Sequence, residues 1–145
     1  MLRTVSLAHW CIVSVLIAGI TGCGGSGIPT ASVSGTITIN GKPVQGVEVM
    51  FVPDAKIRPS VGITDANGRY KAEFLTTQSG VALGSCVVQL SIYRGDSMKN
   101  YLPKKFNEDA ASNPDYHLDV TKGGIHFDYD IKYDGEIPPY TAGAK

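Results

Sequence analysis

Alternating β-branched residues are the feature of this sequence that most restricts its fold. Residues 32–39 (SVSGTITI) and 44–53 (VQGVEVMFVP) place apolar or small residues at alternate positions. A period of two is typical of a strand with one buried face. Asn40-Gly41 lies between the two segments, and this pair favours a tight turn because both residues tolerate positive φ. The sequence therefore predicts two strands joined by a turn.

The same character recurs along the rest of the chain. Five further strands are predicted, at residues 61–64, 69–74, 83–94, 116–121 and 124–131. Asp65 and Asn67-Gly68 predict a tight turn between two of them, and residues 95–115 have no period and are expected to form a long excursion. Seven short strands with no helical segment predict an all-β protein, a seven-stranded antiparallel β-sandwich.

The start of the chain resembles a targeting segment. Arg3 precedes an apolar run of 11 residues, WCIVSVLIAGI, which is shorter than the about 20 residues that a membrane-spanning helix needs. We therefore expect residues 1–22 to be a signal peptide. Removing Arg3 from the 13 basic residues leaves 12 against 13 acidic ones, so the remaining chain has no basic field that would attract nucleic acid.

The tetrad Ile20-Thr21-Gly22-Cys23 resembles the lipobox of bacterial lipoproteins. The resemblance implies that the thiol of Cys23 receives a diacylglyceryl group and that cleavage makes Cys23 the new N-terminus. Two or three acyl chains anchor a protein stably at a membrane surface. Gly24, by the same resemblance, favours the outer membrane. The glycine-rich residues 23–31 are expected to be a flexible tether, and the alternative is an ordinary secretory signal with an incidental cysteine.

Three motifs resemble the carboxypeptidase regulatory-like domains. They are VSGTITINGKPV over residues 33–44, TDANGRY over 64–70 and GSCVVQLSI over 84–92. The resemblance covers about residues 32–132 and implies a transthyretin-like (prealbumin-type) sandwich, of the kind found as lone copies in small lipoproteins of planctomycete-type bacteria. Such domains do not catalyse, so the resemblance implies a role in binding or structure without a cofactor. Residues 133–145 are expected to be a loose tail.

Polar residues concentrate on the last two predicted strands. If these strands form a hairpin with Lys122-Gly123 as its turn, Asp119 lies opposite His126 and His117 opposite Asp128, with Asp130 on the same face. Two histidines and nearby carboxylates could bind a divalent metal ion. The favoured interpretation is a set of opposite-charge cross-strand pairs on a solvated face, and the metal site is the alternative to it.

Catalytic motifs are weak in this chain. Residues 93–96 (YRGD) resemble the C-terminal Tyr-Arg-Gly-Ser of hydroxyisourate hydrolases, but they lie far from the C-terminus and the further histidine and arginine positions are missing. Cys86 is the one thiol of the predicted domain and is expected to be a small buried hydrophobe. We expect no catalytic residue, which leaves this enzyme class as a remote alternative.

The sequence as a whole predicts a non-catalytic protein that is exported and lipid-anchored to the cell envelope. Its expected contacts are the membrane, through the lipid on Cys23, and an unidentified envelope protein or glycan, with no nucleic acid. A divalent-metal module on the last hairpin and a hydroxyisourate-hydrolase-like enzyme are the two alternatives.

Overall fold

The alternating segments of the sequence form the strands of an all-β fold. The computed structural model describes residues 27–95 and 99–141, and over these ranges the regular elements are strands and single 3-10 turns, without an α-helix. The strands, in chain order, are β1 (Thr30–Ala31), β2 (Val33–Ile39), β3 (Lys42–Pro43), β4 (Val47–Pro53), β5 (Ser60–Ile63), β6 (Arg69–Lys71), β7 (Glu73–Leu75), β8 (Gln78–Ser79), β9 (Val81–Ala82), β10 (Gly84–Ile92), β11 (His117–Val120), β12 (Ile125–His126) and β13 (Tyr129–Ile131).

Three sheets contain the strands of the described ranges. The largest is antiparallel, with the strand order β11-β10-β4-β5-β7-β8. The second is centred on β2, which pairs antiparallel with β3 and β6 and parallel with β12 and β13. Ser34 of β2 lies opposite both Lys71 and His126, so the antiparallel and parallel partners occupy opposite edges of β2. β1 and β9 form the third sheet.

The two larger sheets contribute side chains to one hydrophobic core. Every second residue is buried in β2 and from Val47 to Phe51 of β4, which is the pattern that their alternation predicts. Phe51 of β4 and Tyr70 of β6 bring the two sheets into contact, with their ring centres 6.1 Å apart. Each of the seven predicted segments contains a strand, and the Asn40-Gly41 turn is confirmed by positive φ angles of 51° and 77°.

The aperiodic segment covers the outer face of β10. Single 3-10 turns form at Lys104–Phe106, Ala110–Ser112 and Pro114–Tyr116. The side chain of Asn100 accepts the backbone N–H of Ile92 and donates to the hydroxyl of Ser91, both at 3.0 Å. Because β10 is covered in this way, both of its faces are buried, and the predicted excursion is packed against the sheet over its described part.

The fold begins earlier than the sequence predicted. The side-chain amide of Gln78 donates to the carbonyl of Ile28 at 2.8 Å, and β1 pairs with β9. Residues 28–31 therefore belong to the folded part of the chain, in contrast to the flexible tether predicted over residues 23–31. Residues 23–26 of that tether lie outside the described ranges.

The prediction that residues 116–121 and 124–131 pair with each other is wrong. β11 pairs with β10, whereas Ile125 of β12 lies opposite Val33 of β2. The chain crosses from one sheet to the other at the turn between the two segments. Each segment thus extends a different sheet and still directs apolar side chains into the shared core.

Gly35 of β2 allows the last part of the chain to approach this strand. A Cβ atom at this position would overlap the backbone carbonyl of Phe127, whose oxygen also accepts the hydroxyl of Tyr70 at 2.9 Å. We expect Gly35→Ala to lower the free energy of unfolding by about 2–3 kcal/mol, because a methyl group has no room against backbone atoms. Urea unfolding measures this change.

Gly123→Ala is the matched control for this variant. A Cβ atom at Gly123 meets open space, so a change of less than about 0.5 kcal/mol is expected there. Equal stability of the Gly35→Ala and Gly123→Ala variants would contradict the close approach at Gly35.

Candidate functional site

The polar residues that the sequence grouped into a metal site are divided between the two larger sheets. His117 and Asp119 are exposed on β11, whereas His126 is on β12 and Asp128 follows it. The predicted pairs of Asp119 with His126 and of His117 with Asp128 are therefore not formed. Within residues 27–95 and 99–141, no group of three or more histidine, cysteine or acidic side chains could hold a metal ion.

Two acidic residues of that face, Asp128 and Asp130, instead support the fold. Asp128 accepts the backbone N–H of Thr36 at 2.7 Å. Asp130 accepts the hydroxyl of Thr38 at 2.7 Å and the backbone N–H of Gly41 at 2.8 Å, and it pairs with the Lys132 ammonium. These bonds join the last strands to β2 and to its turn.

The structure describes one of the two cysteines considered above, Cys86. Cys86 is 1% exposed and faces the core, as the sequence predicted. Burial, with smaller contributions from Asp54 and Asp119, raises the pKa of its thiol to about 11. The thiol therefore stays protonated at neutral pH and is a poor nucleophile. Cys23 and residues 1–22 lie outside the described ranges.

A cleft of about 780 Å³ opens between the turn after β2 and the end of the described chain. We call residues 133–140 the strap and this space the strap cleft. One wall comprises Asn40 to Gln45, and the other is the strap, with Tyr133, Ile137 and Tyr140 among its lining residues. The sequence predicted a loose tail for this segment, and the strap differs from that expectation because it returns to the body of the protein.

Arg94 lies at the base of the strap cleft and connects its two walls. The side chain is 7% exposed, and its guanidinium donates four hydrogen bonds of 2.9 to 3.1 Å to the backbone carbonyls of Tyr93, Gln45, Gly46 and Pro138. The ring of Tyr140 lies over the guanidinium, 5.5 Å from ring centre to Cζ. The planar fork of an arginine suits such a set of diverging carbonyls, which a lysine could not satisfy together.

The charge of Arg94 has no anionic partner in the part of the chain that the structure describes. The ion pairs found there join Lys104 to Glu108 and Lys132 to Asp130. Burial lowers the pKa of the Arg94 guanidinium, but an arginine keeps its charge in proteins. Four carbonyl dipoles and one aromatic ring therefore offset part of the cost of burying a positive charge at the base of the cleft.

Asn40 fastens the other end of the strap. Its amide nitrogen donates to the carbonyl of Tyr133 at 2.6 Å, and its carbonyl oxygen accepts the backbone N–H of Tyr133 at 3.3 Å. The same amide nitrogen lies 3.4 Å from a carboxylate oxygen of Asp134. The Asn-Gly turn, predicted from its backbone preference alone, thus also positions the strap.

The strap cleft lies at the end of the fold that is remote from the first described residues. β2 runs from Val33, beside β1, to Ile39, which lines the cleft. Seven residues at about 3.3 Å each separate the two ends by roughly 20 Å. We call the end at Val33 the N-terminal pole and the end at Ile39 the far pole.

The chemistry of the strap cleft favours binding. Its lining includes apolar and aromatic side chains together with Lys42, Gln45 and Asp134, and no histidine or cysteine is among them. Ligand sites are concave spaces that combine apolar surface with a few polar groups, and the volume of the strap cleft lies within their usual range of roughly 300–1,000 Å³; its own lining is polar and apolar in similar measure.

Comparisons of the chain with protein-family models, with curated proteins and with solved structures found no match. Over the described residues, the structure contains no helix whose length and apolar character would let it cross a membrane.

Sequence reasoning missed the strap cleft and the role of Arg94. The motif YRGD at residues 93–96 resembles a catalytic signature, but the side chain of its arginine, Arg94, donates hydrogen bonds to backbone carbonyls. Every residue has a backbone carbonyl, so the sequence does not indicate which carbonyls accept a hydrogen bond from an arginine. The dense prolines and tyrosines of the strap, IPPY after Glu136, were the one local indication of a packed segment.

Removing the guanidinium should release the strap. We expect Arg94→Met to lower the free energy of unfolding by about 2–3 kcal/mol, because charged hydrogen bonds to three separate segments are lost. The backbone order parameters of residues 136–140 should fall below about 0.6 in NMR relaxation. Arg69→Met, at an exposed arginine, is the control and should leave the strap unchanged. A strap that stays ordered in Arg94→Met would contradict its anchoring by this side chain.

The contacts of Asp130 predict an acid-sensitive contribution to stability. Lys132, the backbone N–H of Gly41 and the hydroxyl of Thr38 lower the pKa of Asp130 from 3.8 to about 2. A lowered pKa in the folded state stabilises the protein above pH 4, and this contribution is lost as the pH falls from about 4 to 2. Asp130→Asn should therefore lower the Tm at pH 6 and show a flatter decline of Tm over that window. A Tm difference from wild type that is independent of pH would contradict this assignment.

Proposed function

We propose that this protein is a lipid-anchored, non-catalytic component of the bacterial cell envelope, attached through Cys23. The observation that carries the proposal is the tetrad Ile20-Thr21-Gly22-Cys23 at the end of a short apolar run. The proposed location is the outer membrane, since Gly24 follows the cysteine.

The short distance between Cys23 and the fold supports a display role. Ile28 already accepts a hydrogen bond from Gln78, so five peptide units span the interval from Cys23. They reach about 17 Å at most when extended. A lipid on Cys23 would hold the N-terminal pole near the membrane surface and leave the far pole, with the strap cleft, directed away from it.

The architecture that we propose is a β-sandwich of the transthyretin-like type. Its support is that the two larger sheets share one core and that the strands fall where the motifs of the regulatory-like domains predicted them. The thirteen strands of the described ranges include short additions such as β1, β3, β8 and β9 to the seven predicted segments.

The surroundings of Cys86 and Arg94 support a binding role over catalysis. The thiol of Cys86 is buried, and the guanidinium of Arg94 is engaged with backbone carbonyls. The strap cleft supplies the surface that binding needs. The protein would thus display this cleft to molecules of the envelope.

Inhibition of lipoprotein processing tests the anchoring proposal. In cells treated with globomycin, which blocks cleavage at a lipobox, we expect a precursor larger than the mature protein on a gel. Cys23→Ala should move the protein out of the membrane fraction, because one thiol carries the lipid attachment. Cys11→Ala, within the apolar run, is the matched control and should remain in the membrane fraction. Mature protein of normal size during globomycin treatment would refute the proposal.

A further inference from the structure

The strap cleft combines two cations with one carboxylate. Arg94 at its base has no ion-pair partner within the described ranges, and the same holds for Lys42 on the exposed wall. Asp134 is the acidic lining residue, and its carboxylate lies beside the Asn40 amide. Buried charges in proteins are normally paired, so the cleft has a surplus of positive charge that an anionic group on a ligand would offset.

Aromatic and amide side chains complete the lining. Tyr140 is 44% exposed although its ring packs over Arg94, and Tyr133 lines the same wall. A tyrosine ring offers an apolar face with a polar hydroxyl at its edge. The carbon-bound hydrogens of a sugar ring can pack on such a face, while sugar hydroxyls can bond to Gln45 and Asp134.

Backbone groups on the wall formed by residues 40–46 are already occupied, which argues against strand addition of a peptide on that wall. The N–H of Gly41 donates to Asp130, and the N–H of Gly46 donates to the carbonyl of Thr64. The carbonyls of Gln45 and Gly46 accept from Arg94. Recognition of extended peptides by strand addition depends on free backbone groups, so side chains would carry recognition on this wall.

We propose that the strap cleft binds a glycan that carries carboxylate groups. The inference rests on the proposed export to the cell envelope, where such polymers are accessible to a displayed site. The carboxylate lies toward Lys42 and the base of the cleft at Arg94, and a sugar ring packs on Tyr140. The volume of about 780 Å³ is large enough for more than one sugar ring.

Calorimetry with a defined acidic oligosaccharide tests the proposal. The probe is tetragalacturonic acid, and its carboxyl-reduced form is the neutral control with the same linkages. The protein is the full mature chain, residues 23–145, in detergent if it carries lipid. We expect a Kd below about 1 mM for the acidic probe and weaker binding at higher salt, because exposed charges are screened.

Variants at the two poles localise the site. Lys42→Met should weaken binding about threefold to fivefold, as for the loss of one exposed ion pair, and Tyr140→Ala should weaken it through loss of the ring. Lys122→Met is the matched control, since Lys122 is an exposed lysine in the turn after β11, at the N-terminal pole. It should bind the probe as the wild type does.

Several outcomes would overturn the proposal. One is no binding of the acidic probe at 10 mM, which is about ten times the expected upper limit of Kd. Another is binding of the carboxyl-reduced probe as tight as that of the acidic one, or tighter binding of a hexaglutamate peptide. The last is an equal effect of Lys42→Met and Lys122→Met on the Kd. The assay does not depend on a lipid at Cys23. Failure of glycan binding is therefore distinguishable from failure of the globomycin experiment.

Discussion

The pairing of β2 on both of its edges is the constraint on which the rest of the structure depends. β6 and β3 occupy one edge, and β12 and β13 the other, so that the start, middle and end of the chain meet on one strand. Gly35 makes this possible because the carbonyl of Phe127 occupies the space of a side chain there. The register of β13 then places Ile131 beside Ile39, and the strap leaves the sheet directly beside the Asn40 turn.

Two side chains that bind backbone groups, those of Asn40 and Arg94, shape the far pole. Asn40 holds the start of the strap, and Arg94 holds its end together with the loop before β4. Neither contact depends on the identity of the bound residue, because the partners are main-chain groups. The cost of burying a guanidinium is offset only in part by carbonyl dipoles. A protein that retains such a charge beside an open cleft keeps a fixed positive potential at its base.

The sequence predicted the strands and turns that depend on neighbouring residues. It did not predict which strands pair across the chain. The alternation of residues 33–39 and 47–53 predicted the strands and their buried faces, and Asn40-Gly41 predicted its turn, because these depend on neighbouring residues alone. The pairing of Ile125 with Val33 could not be predicted, since a strand with one apolar face fits either sheet equally well. The metal site considered as an alternative at His117, Asp119, His126 and Asp128 fails for that reason, because its geometry required a hairpin that the chain does not form.

The incorrect prediction of a hairpin over residues 116–131 also left the strap cleft unpredicted. A hairpin formed by residues 116–131 would have left the following segment free at the edge of the fold, which agrees with the loose tail predicted there from its terminal position. Once β13 lies parallel to β2, its C-terminal end lies at the far pole, beside the turn after Ile39. The N-terminal pole, in contrast, holds the first described residues through β1 and Gln78. The parallel addition of the last strands to β2 therefore places the open cleft at the pole opposite the first described residues, to which the proposed attachment at Cys23 is close in sequence.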